Sequence, residues 1–107
     1  MKFEESSLNI EATYWNDAIV DYEEIVSIEY REQDNAGERT FGYGSTKILI
    51  GQFENEEFGT YIRYSYTSCD ACIVIKAEDN VLVLNGKDEE STKVIYQQLT
   101  EKIDVIK

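Results

Sequence analysis

Histidine and proline are absent from this 107-residue sequence, and cysteine occurs only twice. Without histidine, the chain cannot form a histidine general base, a Ser-His-Asp triad or a histidine metal ligand. Without proline, no cis-proline can stand beside a reactive thiol. Two cysteines and no apolar export signal at the start predict a reduced, cytoplasmic protein. We therefore predict no catalytic residue, no cofactor and no metal.

Basic residues are also scarce, with 10 Lys and Arg against 22 Asp and Glu and a net charge of −12. The phosphates of nucleic acid would be repelled, so we expect no nucleic-acid binding. Anionic lipid needs clustered basic residues, so we expect no membrane binding either, and no segment is long enough to span a bilayer. The charge is typical of a soluble protein, and the alternative is a basic or cationic partner.

A hydrophobic content of 42% is enough for a packed core, and the length predicts one domain over residues 1–107. Period-two alternation and short apolar runs predict about seven antiparallel strands. They fall at residues 8–14, 18–20, 26–31, 47–54, 58–66, 72–77 and 81–84. The fourth and fifth are predicted to form one hairpin and the last two another, with a turn at residues 15–17. Residues 32–46 are predicted to be the longest loop.

The last segment changes from period two to helical spacing. Val94, Ile95, Leu99 and Ile103 form an apolar stripe, which predicts an amphipathic helix that caps the strands. Asp88 is the predicted N-cap, and Gly86 marks the break between strand and helix. The sequence therefore predicts a mainly β fold, an α+β class, with one C-terminal helix.

Two short motifs suggest chemistry but lack its context. The glycines at 42 and 44 precede Lys47 with the wrong spacing for a phosphate-binding loop, and a strand follows them instead of a helix. We read them as a bend into a strand, and Gly51 as a bulge or a bend at a barrel corner. Cys69 and Cys72 form a C-x-x-C before a strand, which leaves a redox or metal role open beside simple apolar packing.

Acidic clusters and aromatic residues complete the candidates. Clusters at residues 54–57 and 88–90 fit a turn and a helix start better than a calcium loop, whose residue pattern is absent. If Ile62, Tyr64 and Tyr66 face inward, Tyr61 and Arg63 face solvent and form a contact spot. We predict a contact surface from this pair and the 32–46 loop, made of Arg39, Phe41, Tyr43, Tyr61 and Arg63.

The order of seven strands and one helix resembles the pleckstrin-homology (PH) superfold, and the middle of the chain resembles the small bacterial PH-like domains. The resemblance covers about residues 25–103 and rests on four segments, Gly42-Tyr43-Gly44, Ile50-Gly51-Gln52-Phe53, Gly59-Thr60-Tyr61-Ile62 and Ile73-Val74-Ile75. It implies a partly open barrel of two nearly orthogonal sheets, closed at one end by the helix. From this fold pattern and the absence of a catalytic set we predict a non-enzymatic module that binds a protein partner or forms a homo-oligomer. The alternatives are a peripheral membrane module, and a small-molecule binder or unusual enzyme that uses carboxylates or the C-x-x-C. Phosphoinositide binding is not implied, because residues 8–20 contain no Lys or Arg.

Overall fold

Short strands dominate the computed structural model, which describes residues 2–10, 18–33, 38–44, 47–78 and 80–106. Within these residues it contains nine strands, one 3₁₀ turn at Tyr22–Glu24 and one α-helix. The elements are β1 (Lys2–Phe3), β2 (Ser7–Ile10), β3 (Ala18–Asp21), β4 (Ile25–Arg31), β5 (Glu38–Gly44), β6 (Ile48–Asn55), β7 (Gly59–Tyr66), β8 (Cys72–Ala77), β9 (Val81–Leu84) and α1 (Glu89–Ile106).

The strands form two sheets, one of three strands in the order β1-β2-β3 and one of six in the order β4-β8-β9-β7-β6-β5. Among the described strands, β4 and β5 lie at the two edges of the larger sheet, which therefore stays open. The predicted mainly β class, with a partly open sheet and one C-terminal helix, is confirmed.

All seven predicted strands are present, as β2, β3, β4 and β6 to β9. Both predicted hairpins are confirmed, because β6 pairs with β7 and β8 pairs with β9, each in antiparallel register. The predicted turn at residues 15–17, and Ala12 and Tyr14 of the first predicted strand, lie outside the described residues.

Two details differ from the sequence prediction. The 32–46 segment is not a loop throughout, because β5 pairs with β6 from Glu38 to Gly44, with a bulge between Arg39 and Phe41. Backbone pairing places this strand, whose only period-two signal is the alternation of Phe41 and Tyr43 with two glycines. The prediction that all strands are antiparallel is wrong for one pair, since β9 lies between β8 and β7 and runs parallel to β7.

The start of the helix is fixed by capping and by close packing. Asp88 is the N-cap, as predicted, because its Oδ1 accepts a hydrogen bond of 2.7 Å from the backbone N–H of Ser91. This bond lowers the pKa of the Asp88 carboxyl below its usual value. A Cβ at Gly86 would stand 2.7 Å from the Cβ of Ser91, so the chain can turn here only without a side chain. The predicted break at Gly86 thus has a steric cause.

The apolar stripe of the helix is rotated slightly from the predicted one. Leu99 is 0% exposed, and Ile95 and Ile103 pack against the same core. Val94 is 49% exposed, so its predicted burial is wrong, and Thr92 and Tyr96 lie on the packed side instead. Among the described residues, no helix has the length and apolar character needed to cross a membrane.

The six-stranded sheet is buried on both faces. We call the first the helix face, because its residues pack with Leu99 and with the small sheet; on β8 and β9 they are Ile73, Ile75, Leu82 and Leu84. The alternate residues form a second cluster, which we call the hairpin face, made of Phe53, Tyr61, Cys72, Val74 and Val83 with Leu49, Phe58 and Val81 around them. Burial on both faces explains why β8 and β9 are apolar at successive positions instead of alternate ones.

Candidate functional site

The five predicted contact residues lie on two strands that flank β6. Arg39, Phe41 and Tyr43 belong to β5, and Tyr61 and Arg63 belong to β7. Register aligns Arg39 with Tyr61, because both lie opposite Phe53 of β6. Beyond the bulge after Arg39, Phe41 and Tyr43 lie opposite Gln52 and Ile50, so the register does not align them with Tyr61 and Arg63.

The prediction that Tyr61 and Arg63 face solvent is wrong. Tyr61 is 0% exposed and Arg63 is 1% exposed, whereas Tyr66, predicted to face inward, is 38% exposed. The alternation was read correctly, since Tyr61 and Arg63 do share one face of β7. That face is not open to solvent, however, because Tyr61 packs there with the other residues of the hairpin face. An amphipathic pattern cannot show that a second layer covers the polar-looking side of a strand.

Arg63 is held among aromatic rings and hydroxyls. Its Nη1 donates to the Oγ of Ser65 at 2.9 Å, and its Nη2 lies 3.5 Å from the hydroxyl of Tyr61. The guanidinium carbon stands 5.5 Å from the ring centre of Phe53 and 5.7 Å from that of Tyr61. Both distances suit cation–π attraction, which is stronger where water is excluded. Arg63 is thus part of the packed hairpin face.

A second arginine closes the same face at the tip of the β6–β7 hairpin. Arg31, at the end of β4, donates from both terminal nitrogens to the two carboxylate oxygens of Glu57, each at 2.6 Å. Its guanidinium also lies 5.2 Å from the ring centre of Phe58, which meets Tyr61 edge-on. The hydrogen bonds from Arg31 lower the pKa of the Glu57 carboxyl, and those to Glu57 and Glu29 raise the pKa of Arg31. Sequence reading missed this pair, because 26 positions separate its members.

The loop after β7 is fixed by one buried amide. Asn85 accepts from the backbone N–H of Tyr66 at 2.7 Å through Oδ1. Its Nδ2 lies 3.1 to 3.3 Å from the carbonyls of Tyr66, Cys69 and Ala71. These contacts hold the loop against the end of β9. The only signal in the sequence is an asparagine directly after an apolar strand, which alone would not reveal the role.

Two clefts, of about 380 and 400 Å³, lie on either side of this loop and share Gln33, Cys69 and Asp70. The first also reaches Arg63 and Ser65, and the second also reaches Glu32, Asp88 and Glu89. The last two carboxylates are already engaged, Asp88 as the helix cap and Glu89 with Lys93 at 3.0 Å. Glu32 and Asp70 are the other two carboxylates that line the second cleft.

The two cysteines are buried thiols that point to different regions. Cys72 belongs to the hairpin face, whereas the Sγ of Cys69 lies 3.5 Å from the hydroxyl of Thr92 in the first turn of α1. They are not joined in a disulfide. Within the part of the chain that the structure describes, no group of three or more His, Cys, Asp or Glu residues could hold a metal ion.

A family model described as "Bacterial PH domain" matches residues 1–100 of the 107. Neither the curated proteins nor the solved structures contain a match to this chain.

Proposed function

The chain belongs to the bacterial PH domain family, and from this premise we propose that it is a non-enzymatic module that binds a protein partner or a second copy of itself. Edge strand β5 carries the proposal. Among the described strands it pairs only with β6, and we propose that its outer side pairs with a strand of the partner. An exposed edge offers a row of backbone donors and acceptors, which is the basis of recognition by strand addition.

Three of the five predicted contact residues lie on this strand. Arg39, Phe41 and Tyr43 lie along β5 itself, and we propose that they form the contact surface. Tyr61 and Arg63 lie two strands away in the packed layer that supports β6 and β5. We propose that these two residues take part in contacts only when that layer opens. A cytoplasmic location remains part of the proposal, supported by two cysteines that are thiols.

The test is a pull-down from native lysate combined with light scattering of the purified chain. We expect a saturable partner or a defined oligomer, and we expect both to be lost in the triple variant Arg39→Glu, Phe41→Ala, Tyr43→Ala. The matched control is Val26→Ala, on the opposite edge strand β4, where the side chain is 69% exposed. Equal binding by the triple variant would exclude β5 as the contact strand.

Salt dependence separates the two kinds of occupant. Two copies with a charge of −12 each repel one another, so added salt should strengthen self-association. A basic partner would instead bind more weakly as salt rises. Flotation with anionic vesicles, where we expect no binding at physiological salt, tests the membrane alternative. A monomer without partners at every salt concentration would contradict the whole proposal.

A further inference from the structure

The contact between Arg31 and Glu57 joins parts of the sheet that its register would keep apart. Arg63 is aligned with Glu29 through Val83 and Val74, so three strand spacings separate them, about 14 Å. From Arg63 to Glu57 the chain runs six further residues, about 20 Å of extended strand. Glu57 nevertheless contacts Arg31, which itself pairs with Glu29 at 3.0 Å. The outer half of the hairpin must therefore cross over the hairpin face.

The bend has a local basis. Gly51 lies opposite Arg63 and has a φ of +132°, a conformation that glycine adopts far more easily than other residues. Beyond it, the tip is braced by its own hydrogen bond, since the Oδ1 of Asn55 accepts from the backbone N–H of Phe58 at 2.7 Å. The turn at the tip is therefore internally braced, and Gly51 marks the point on β6 where the bend begins.

We propose that the Arg31–Glu57 pair is a latch that holds this arm closed, and that its release gives access to the hairpin face. The paired hydrogen bonds fix the carboxylate, and the same guanidinium covers Phe58, which covers Tyr61. Both charges are partly exposed, with side chains 21% and 41% accessible, so the pair can exchange with water without unfolding the core. All the contacts that form the latch lie within this chain, so the proposal holds whichever partner the protein binds.

Cys72 provides a built-in probe, because it lies in the hairpin face and is 1% exposed. Its reaction with a thiol reagent under native conditions reports opening of that face. In a Cys69→Ser background, we expect Glu57→Gln to raise the labelling rate of Cys72 about two- to fivefold, the range for one partly exposed ion pair. Arg31→Lys should act in the same direction, since lysine cannot form the paired hydrogen bonds. Glu56→Gln, an exposed carboxylate of the same turn, is the matched control and should leave the rate unchanged.

Cys69 separates local opening from general loss of stability. Its thiol contacts Thr92 in the first turn of α1, and the residue follows the end of β7 that is opposite the β6–β7 turn, so its labelling in a Cys72→Ser background should not respond to Glu57→Gln. A rise at Cys72 alone supports the latch. Equal rises at both cysteines, or no rise at Cys72, would overturn it.

Discussion

The two faces of the six-stranded sheet are both buried, but different parts of the chain cover them. A separate amphipathic helix and a small sheet cover the helix face, and the contacts there are mostly aliphatic. Residues of the sheet's own β6–β7 hairpin pack in the hairpin face, and the contacts there include aromatic rings, two arginines and a carboxylate. The helix face is a conventional hydrophobic core. The hairpin face relies on directional contacts that water and salt can compete for.

The largest effect should come from the helix face. We expect Leu99→Ala to lower the free energy of unfolding by about 2–5 kcal/mol, because Leu99 is fully buried and the truncation leaves a cavity. Chemical denaturation measures this loss. Val94→Ala, on the exposed side of the same helix, should cost far less, and similar losses for both would contradict the packing described for α1.

A smaller loss is expected from the hairpin face. Arg63→Ala removes the ring contacts and the hydrogen bond to Ser65, and we expect a loss of about 2–3 kcal/mol. Arg63→Met keeps most of the side-chain volume without burying a charge, so it should be closer to the wild type. Chemical denaturation of both variants and the wild type measures these differences in the free energy of unfolding. If Arg63→Ala behaves like a surface substitution, the hairpin face is not a packed layer.

The smallest effect concerns pH at the start of the helix. Because the folded pKa of Asp88 is lowered, its contribution to stability is complete above the unfolded value of about 4 and disappears as pH falls through the lower folded value. Asp88→Asn keeps a capping side chain without the titration. We expect the melting temperature of the wild type to exceed that of Asp88→Asn near neutral pH and to lose this advantage in acid. The pKa of Glu57 is also lowered, but Glu57 is present in both proteins, so its titration does not change the difference between their melting temperatures.

The sequence predicts the helix face better than the hairpin face, for a physical reason. Leu99 and the helix cap follow from local rules of spacing and capping, and both are found. The rotation that exposes Val94 depends on how the helix docks, which local spacing does not contain. The burial of Tyr61 and Arg63 depends on a bend near Gly51 and on the contact of Glu57 with Arg31, which is 26 positions away. Alternation within one strand cannot reveal this burial.

One signal of the second layer was available in the sequence. The runs Cys72-Ile73-Val74-Ile75 and Val81-Leu82-Val83-Leu84 are apolar at every position, which is typical of strands covered on both sides. Strand β5, by contrast, has only Phe41 and Tyr43 alternating with two glycines, which is too short a pattern to predict its pairing with β6.

The parallel pairing of β9 with β7 also affects the order in which the protein can assemble during synthesis. Because β9 lies between β7 and β8, the inner edge of β7 has no neighbour until Val81–Leu84 have left the ribosome. Until then the nascent chain presents the three strands β5, β6 and β7 with two open edges, which is the kind of surface that aggregates or recruits chaperones. Since parallel pairs also form slowly, the β8–β9 hairpin should be the unit whose arrival commits the chain to its native sheet.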